Sequence, residues 1–323
     1  MTSAQYKNRV LDCSILPCLE NLRGKSVIVT GGASGLGKAF VHRFVEAGAY
    51  VTFGDVNEEA GFKLAAELTG YVTEPYMLQD LSQTWDSEGK YLRKARFVRC
   101  DVRSWEEQVC LFEAAVANSP RLSCDIVIAN AGIPGPDGLF AGEDPSLPPT
   151  RPDTTIFDVN LTGTIYTTKL AIHYFRRQSL EPDRDRCLIL IGSIAGYLDL
   201  PGSATYSMSK FGVRALMRSL RRNAWVDSIR VNLISPSYII TPAYTEEIIA
   251  FFKSKGVKFA SESDACKAIL RIASDTTVNG RSIAVVSKED CAVGYFDLAE
   301  DDFPEGSKLY DLQNVATNVG SRT

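Results

Sequence analysis

The chain alternates between short apolar runs and longer segments whose apolar residues recur with helical spacing. Some short runs, such as "VIV" (27–29) and "LILI" (188–191), are apolar at consecutive positions rather than at alternate ones. Continuous apolar runs are expected of strands whose two faces are both covered by helices. Seven runs are predicted as strands, and they span residues 26–31, 50–55, 95–101, 124–132, 186–193, 229–235 and 281–287.

The segments between these runs complete the prediction of the fold class. Helices are predicted over residues 37–49, 58–70, 106–118, 154–178, 209–225 and 261–275. Because strands and helices alternate along the chain, we expect an α/β fold. Its centre would be a doubly wound, parallel sheet of about seven strands, flanked by helices on both faces.

Other segments bound the domain. Residues 71–94 form a polar stretch that is too long for an ordinary connection, so we expect a surface insertion there. Residues 134–153 are rich in proline and glycine and are predicted to be a loop. The absence of a repeat or a linker predicts a single domain, residues 1–323. Its parts are a core at about 24–287 and extensions at 1–23 and 288–323.

Composition and charge exclude several classes of protein. A net charge of -4 over 323 residues gives no electrostatic footprint for nucleic acid or anionic lipid. Eight scattered cysteines without a Cys-x-x-Cys pair suit a reducing compartment, and only two histidines disfavour a metal site. The N-terminus lacks the order of a secretory signal, and no apolar run reaches the roughly 20 residues of a membrane helix. We therefore expect a cytoplasmic protein with no metal, nucleic-acid or membrane partner.

A glycine-rich turn, "VIVTGGASGLGKAF" (27–40), connects the first predicted strand to the first helix. Gly31 allows a tight turn, while Gly35 and Gly37 allow backbone to approach a bound pyrophosphate and helix to pack on sheet. The helix N-terminus then offers free N–H groups and a positive dipole to the phosphates. The strand–turn–helix context favours a Rossmann-like dinucleotide site over the alternative, a glycine turn without a ligand.

An aspartate follows at the end of the second predicted strand. Asp55 comes eighteen residues after Gly37, where a carboxylate accepts hydrogen bonds from the adenosine ribose and repels a 2′-phosphate. No arginine or lysine comes directly after it, which favours NAD over NADP. The alternative is an N-cap for the helix that begins near Glu58, and capping could coexist with binding.

Further motifs follow in a fixed order. They are Asp101-Val102, "ANAG" (129–132), Asn160, Ser193, Tyr206-x-x-x-Lys210 and "SPSYIIT" (235–241). With this order, and with thirteen positions between Ser193 and Tyr206, the sequence resembles the classical short-chain dehydrogenase/reductase family. The resemblance is to NAD-preferring members of the kind found in fungal specialised metabolism. Ser237 stands where the family has glycine, and Ala129 stands where it has asparagine.

The resemblance implies a cofactor site along one edge of the sheet. Asp101 and Val102 would flank the adenine, Asn130 would steady the central part, and Ile239 and Thr241 would contact the nicotinamide end. Val102 and Ile239 could alternatively be core residues. The complete set assigned to NAD is Thr30, Gly31, Ser34, Gly35, Leu36, Gly37, Asp55, Asp101, Val102, Asn130, Ala131, Gly132, Tyr206, Lys210, Pro236, Ile239 and Thr241.

Tyr206 and Lys210 are four positions apart and therefore share one face of a helix. A tyrosine with a pKa of about 10 is a poor base at neutral pH. A unit charge at about 4 Å contributes roughly 4 kcal/mol at an effective dielectric near 20, which is equivalent to about three pKa units. We expect Lys210, together with the positive charge of NAD⁺, to lower the pKa of Tyr206 so that it acts as general base and acid.

The resemblance implies the other catalytic roles. Ser193 would orient the substrate oxygen, Asn160 would position a proton-relay water, and Lys210 would also bind the nicotinamide ribose. Each residue also has a structural interpretation: Tyr206 in packing, Lys210 on the surface, Ser193 at a strand end, and Asn160 in a helix irregularity. The four together, in this order, favour the catalytic interpretation.

Loops at the carboxyl edge of the sheet are expected to select the substrate. They are residues 132–140, 196–205 and 237–256, and the last contains an apolar set that could form a lid or pack on a partner subunit. The predicted activity is NAD-dependent interconversion of a hydrophobic secondary alcohol and a ketone. Two alternatives stay open: a cofactor-dependent isomerase, epimerase or dehydratase, and a nucleotide-sensing protein without chemistry.

The family resemblance also implies an assembly. Helices over 154–178 and 204–224 commonly pair with their copies in this family, so we expect a homodimer or homotetramer. The extension at 288–323 is predicted to cover a subunit edge or the mouth of the active site.

Overall fold

A single mixed sheet organises the protein in a computed structural model, which describes residues 6–69, 94–135, 139, 144, 146–179, 181, 185–241 and 244–320. The eight strands of this sheet are β1 (Ser26–Thr30), β2 (Tyr50–Asp55), β3 (Ala95–Arg99), β4 (Ile126–Ala129), β5 (Cys187–Ile191), β6 (Arg230–Pro236), β7 (Ser282–Val285) and β8 (Tyr295–Asp297). Their spatial order is β3-β2-β1-β4-β5-β6-β7-β8. Strands β1 to β7 are parallel, and β8 is antiparallel to β7. The predicted doubly wound α/β fold is confirmed.

The helices of the described residues are α1 (Gly35–Glu46), α2 (Glu58–Thr69), α3 (Trp105–Ala117), α4 (Thr155–Phe157), α5 (Thr164–Arg177), α6 (Ala204–Leu220), α7 (Glu246–Ser254), α8 (Glu262–Ser274) and α9 (Lys308–Gly320). The prediction of one continuous helix over 154–178 is wrong, because the helix is interrupted. A π-helical turn, Asp158–Gly163, separates α4 from α5. Gly163 lies against Val102 there, and a Cβ added to the glycine would come within 2.7 Å of Val102 Cγ2.

Both faces of the sheet are buried, which explains the continuous apolar runs. Val27 and Val29 of β1 belong to the cluster that contains Phe40 of α1. Ile28 lies between them in sequence and belongs to the opposite cluster, together with Phe112 of α3. Alternate residues of one strand therefore support helices on opposite faces.

The chain order changes direction at β1, which lies between β2 and β4. In an open α/β sheet, a crevice forms outside the carboxyl ends of the strands at such a point. The segments that leave β1, β4, β5 and β6 meet at this edge, and they carry most of the predicted site residues.

The C-terminal extension adds to the sheet instead of lying outside it. Strand β8 pairs with β7, with Tyr295 opposite Val285, and it was not predicted because it has only three residues. Arg281 binds Asp297 of β8 through two hydrogen bonds of 2.7 and 2.8 Å, and Asp297 also accepts one from the Leu11 N–H at 2.7 Å. Charged groups thus attach both extensions to the sheet edge.

Two predicted segments lie wholly or partly outside the described residues. The expected insertion at 71–94 has only its last residue among them, and parts of the expected loop at 134–153 are not described. Within the described part of the chain, no helix is both long enough and apolar enough to cross a membrane.

Candidate active site

The glycine turn at the end of β1 has the geometry that its sequence predicts. Gly31 has a φ of +65°, a conformation that favours glycine. A Cβ on Gly37 would lie 1.9 Å from the Gly31 carbonyl oxygen, so the turn and the first turn of α1 pack too closely for any side chain. Helix α1 begins at Gly35, directly after Ser34. Its first N–H groups have no partner within the helix and can bind an anion.

Asn130 fastens this turn to β4. Its Nδ2 donates to the carbonyl oxygens of Thr30 and Gly31 at 2.9 and 3.0 Å. The Thr30 hydroxyl oxygen accepts the N–H groups of Asn130 and Ala131 at 3.0 and 3.2 Å. The structure therefore brings Thr30, Gly31, Asn130 and Ala131 together, with Asn130 in a structural role.

Asp55 reaches back from β2 to the same turn. Its Oδ2 accepts the Ala33 N–H at 3.0 Å, and its Oδ1 accepts the Asn57 N–H at 3.0 Å. The capping role considered as the alternative for Asp55 belongs to Asn57 instead, because Asn57 Oδ1 accepts the Ala60 N–H in the first turn of α2. The carboxylate of Asp55 is thus a negative charge held beside the glycine turn.

Asp101 lies after β3 and is bound to a cation. The Arg103 guanidinium donates to both of its carboxylate oxygens, with Nη2 at 2.6 Å from Oδ2. This hydrogen bonding holds the pKa of Asp101 below its usual value. Val102 is buried against Gly163, so its side chain belongs to the core, as its alternative interpretation held. The backbone of this pair is also bonded, because the Asp101 N–H donates to Glu107 and the Val102 carbonyl accepts Gln108 Nε2, each at 2.6 Å.

Asn160 connects the π-helical turn to the loop after β4. Its Oδ1 accepts the Ile133 N–H at 2.8 Å, and its Nδ2 donates to the Ile133 carbonyl at 2.9 Å and to Ser209 Oγ at 3.1 Å. The side chain therefore has the structural role considered for it. Its backbone carbonyl accepts the Thr164 hydroxyl at 2.8 Å.

Lys210 is buried at the same place. Its Nζ donates to the Ile191 carbonyl at 3.0 Å. A Cβ added to Gly132 would lie 3.5 Å from this Nζ and 3.2 Å from Asn160 Oδ1, so the three residues surround one small space. Burial lowers the pKa of Lys210 to about 8. The alternative of a solvated surface lysine is excluded.

Tyr206 shares a helix face with Lys210, and the Nζ lies 5.7 Å from the centroid of the phenol ring. Burial raises the pKa of Tyr206, a hydrogen bond with Ser193 lowers it, and the neighbouring Tyr244 raises it. In the protein itself the pKa of Tyr206 is therefore above its ordinary value. Lys210 is not among these influences, and its ammonium group donates to the Ile191 carbonyl. The expected lowering also depends on the charge of NAD⁺ and stays a prediction.

Ser193 joins this group from the end of β5. Its Oγ accepts the Ala195 N–H at 3.1 Å and so caps a short 3₁₀ turn, Ile194–Gly196. The same hydroxyl donates to the Pro236 carbonyl at 3.4 Å. Ser193 thus lies at the end of a strand, as its structural interpretation held. Its hydroxyl also makes a hydrogen bond with the phenol of Tyr206.

The segment after β6 completes the edge. Pro236 is the last residue of the strand, and Ile239 is buried in the core, as its alternative interpretation held. The carbonyl of Thr241 accepts the Tyr244 N–H at 3.0 Å, and this bond directs the chain toward α7. Pro236 lies next to Ser193, whereas Ile239 and Thr241 lie further along this segment.

The residues of this edge fit a nicotinamide dinucleotide. The glycine turn presents free N–H groups for a pyrophosphate, and a Cβ added to Gly35 would meet no atom within 4 Å, so the turn is open on that side. Asp55 supplies acceptors for ribose hydroxyls, and Lys210 and Tyr206 supply polar groups at the other end. Among the described residues, no group of three His, Cys, Asp or Glu side chains could hold a metal ion.

Two features of the site were not identified from the sequence. The first is the effect of Tyr244 on the pKa of Tyr206, because the segment 237–256 was predicted to approach the site but no residue of it was paired with Tyr206. Asp301 binds the Tyr197 hydroxyl at 2.7 Å, and Tyr197 lies just past the turn that Ser193 caps. No local pattern marks Asp301, because its partner is 104 positions away.

The comparison with protein families agrees with this geometry. Residues 25–248 match the family model described as short chain dehydrogenase, and this range covers the glycine turn, Asn160, Ser193, Tyr206 and Lys210. The chain belongs to this family. Its members are oxidoreductases that use a nicotinamide cofactor on small molecules.

Individual relatives extend the match beyond the family model. The chain is 37% identical to a 5'-hydroxyaverantin dehydrogenase of Dothistroma septosporum over 302 residues, which cover 88% of this chain and 89% of the relative. It is 30% identical to the NADP-dependent dehydrogenase M3 of a Phoma species, over 90% of this chain and 84% of the relative. These relatives place the chain among short-chain dehydrogenases of fungal specialised-metabolism type.

Solved structures support the fold alone. A crystal structure of a short-chain type dehydrogenase/reductase from Mycobacterium marinum superposes with a TM-score of 0.67 at 24% identity. The superposition covers 84% of this chain and 98% of the other.

Proposed function

We propose that this dehydrogenase oxidises a secondary alcohol on a hydrophobic small molecule to a ketone, with NAD⁺ as acceptor. The observation that carries the proposal is the meeting of the Tyr206 phenol with Ser193, beside buried Lys210 and Asn160. When bound, the nicotinamide supplies an acceptor for the hydride of the carbinol carbon.

Tyr206 takes the hydroxyl proton of the alcohol. Burial raises the pKa of its phenol, so a nearby positive charge is needed for base catalysis at neutral pH. The ammonium group of Lys210, 5.7 Å from the centroid of the phenol ring, is one such charge, and bound NAD⁺ would add a second. Lys210 would bind the nicotinamide ribose through an N–H that its bond to Ile191 leaves available.

Ser193 and Asn160 complete the proton path. The Ser193 hydroxyl orients the substrate oxygen toward Tyr206, because the capped 3₁₀ turn and Pro236 fix its position. The Asn160 carbonyl would hold a water that passes the proton from Lys210 toward solvent. The three hydrogen bonds of the Asn160 side chain keep that carbonyl in place.

The choice of NAD rests on the charges beside the glycine turn. Asp55 would repel a 2′-phosphate. Arg99 lies opposite Asp55 in the register of β2 and β3, but it is paired with Glu58 at 3.6 Å and also with Glu107. Since Arg103 is held by Asp101, both arginines at this edge are already neutralised by carboxylates.

The substrate class follows from aromatic groups near Tyr206. Phe252 of α7 lies 5.2 Å from Tyr238 and 5.8 Å from Tyr244, measured between ring centroids. Helix α7 buries no residue, and Phe251 is 58% exposed, so the helix covers the site loosely, as a lid would. An apolar, ring-containing alcohol suits this wall. The name of the Dothistroma relative describes dehydrogenation of a hydroxylated compound, which supports the direction.

We also propose a homodimer or homotetramer, in which α5 and α6 pair with their copies. Ile165 of α5 and Phe211 of α6 are 46% and 43% exposed, which leaves apolar surface for such a contact. Light scattering that gave the mass of one chain would contradict this assembly. A cytoplasmic location is part of the proposal, and imaging of a fluorescent fusion tests it.

The function is tested by a screen of apolar secondary alcohols with NAD⁺ and with NADP⁺, following the absorbance of the reduced nicotinamide. We expect reduced NAD to accumulate in proportion to ketone. Conversion without reduced cofactor would favour an isomerase or dehydratase instead. Preference for NADP⁺ would contradict the role given to Asp55.

A further inference from the structure

One carboxylate of the C-terminal extension is connected to the loop that follows Ser193. Asp301 is 3% exposed, and its Oδ2 accepts the Tyr197 hydroxyl at 2.7 Å and the Ser282 hydroxyl at 2.6 Å. Its Oδ1 accepts Arg214 Nε at 2.7 Å. Such charge-assisted hydrogen bonds are short and strong when buried. Asp301 thus joins strand β7, helix α6 and the loop that follows Ser193, residues 194–203.

Arg214 strengthens the connection to the loop. Its Nη1 donates to the Gly196 carbonyl at 2.9 Å, and its guanidinium carbon lies 3.8 Å from the centroid of the Tyr197 ring. Asp301 therefore holds the loop directly through Tyr197 and indirectly through Arg214. Burial would raise the pKa of Asp301, but hydrogen bonds from Ser282, Arg214 and Tyr197 hold it below its usual value.

The loop so held begins at the proposed catalytic group. Gly196 ends the 3₁₀ turn that Ser193 caps, and a Cβ on Gly196 would lie 3.0 Å from the Lys210 carbonyl oxygen. Tyr206, Lys210 and Arg214 follow each other at four-residue intervals along one face of α6. The 3₁₀ turn thus packs on α6 at Lys210, between Tyr206 and Arg214, the residue that Asp301 binds.

We propose that Asp301 is a positioning residue, which fixes residues 194–203 at the substrate site and thereby sets the fit of the alcohol. The proposal rests on the proposed function only for the substrate, because the anchoring contacts exist in the chain itself. It assigns the C-terminal extension a role in substrate selection. Asp301 touches neither the substrate nor the cofactor and acts through Tyr197 and Arg214.

The contacts of Asp301 with Tyr197 and Arg214 are called the anchor. The test compares two anchor variants, which weaken these contacts, with one matched control. Asp301→Asn removes the charge, and Tyr197→Phe removes one hydroxyl and keeps the ring. Asp302→Asn is the control, because the Asp302 side chain is only 8% exposed but binds Arg221 and Arg281 instead of the loop. Hydrogen exchange of residues 194–203 and steady-state kinetics with an accepted secondary alcohol are measured for all three.

We expect the loop to exchange faster in both anchor variants and unchanged in Asp302→Asn. The KM for the alcohol rises by about tenfold in the anchor variants, the effect of one lost charge-assisted hydrogen bond. The KM for NAD⁺ and the binding of NADH, followed by fluorescence, stay unchanged. A kcat that falls with KM constant, or an equal effect of Asp302→Asn, would overturn the proposal.

Hydrogen exchange tests the role of Asp301, and activity tests the proposed function, so the two measurements can fail separately. If the loop loosens only in the anchor variants while no alcohol is oxidised by any form, the proposed function fails and the anchor stands. If alcohol is oxidised normally and the loop exchanges as in the wild type, the anchor fails and the function stands. Tyr197→Phe keeps the test decisive where Asp301→Asn does not fold.

Discussion

Lys210 shows how one residue can depart from its usual chemistry because of its position. It is buried by Gly132, Asn160 and the Ile191 carbonyl, and burial brings the pKa of its ammonium group to about 8. In the unfolded chain the pKa would be about 10.4. Between these values the unfolded state binds more protons, so the free energy of unfolding must rise with pH.

We predict that Lys210→Met removes this rise. The wild-type free energy of unfolding, minus that of the variant, should increase by up to about 3 kcal/mol from pH 8 to pH 10.5, at 1.36 kcal/mol per pKa unit. Below pH 8 the difference should be constant. Urea unfolding at several pH values measures it, and parallel pH profiles for the two proteins would contradict the buried lysine.

Asp55 is the residue that decides between the two cofactors in this account. We predict that Asp55→Ser lowers the ratio of kcat/KM for NAD⁺ to that for NADP⁺ by at least about tenfold, which corresponds to about 1.4 kcal/mol. The reason is the loss of a negative charge held beside the glycine turn. Initial rates with both cofactors measure the ratio. Glu59→Gln, on the exposed start of α2, is the control, and an equal shift there would argue against a local effect.

Among the elements, the π-helical turn is the one whose shape depends most on tertiary contacts. Its extra residue places the Asn160 side chain on both backbone groups of Ile133 and on Ser209. The turn therefore joins the loop after β4 to α6. This helix irregularity also brings the Asn160 side chain and Lys210 to the same glycine, Gly132.

We predict that Asn160→Ala lowers the free energy of unfolding by about 2 kcal/mol or more, because three hydrogen bonds of about 1 kcal/mol each are lost. Thr164→Val is the control in the same region. It removes one bond, to the Asn160 carbonyl, and should cost about 1 kcal/mol. Chemical denaturation measures both variants. A smaller effect for Asn160→Ala than for Thr164→Val would show that the side chain does not hold the turn.

The elements that could be predicted from sequence are those with local causes. The strands follow from apolar runs, and the glycine turn follows from Gly31 and Gly37, whose places allow no side chain. A helix irregularity at Asn160 was one interpretation of the sequence, but its partner could not be predicted, because Ile133 lies 27 positions before Asn160. The pKa of Tyr206 could not be predicted either, since spacing gives a shared face but not the direction of Lys210 Nζ.

At the scale of the whole molecule, buried ion pairs fasten the C-terminal extension to the sheet. Arg281 binds Asp297 and Asp302, and Arg221 also binds Asp302 at 3.0 Å. The paired charges are separated by 16 to 81 positions, so no helical spacing marks them, and the extension was predicted only to cover an edge or the mouth of the site. Breaking a buried pair leaves an unpaired charge and is strongly unfavourable.

We predict that Asp297→Ala lowers the free energy of unfolding by about 3–5 kcal/mol, the effect of removing one partner of a buried ion pair. Glu20→Ala should change it by less than about 0.5 kcal/mol, because the exposed pair of Glu20 with Arg23 is solvated. Differential scanning calorimetry of both variants measures the contrast. Equal effects would contradict a structural role for the extension.

The most direct test of the account is the turnover of Tyr206→Phe on an accepted secondary alcohol with NAD⁺. We predict a loss of about 10²- to 10⁴-fold in kcat, the contribution of a general base, with unchanged binding of NADH. Tyr166→Phe, which removes a hydroxyl from α5 at a ring packed on Trp105, serves as control and should keep its activity. Full turnover by Tyr206→Phe would contradict the assignment of the proton transfer to this phenol.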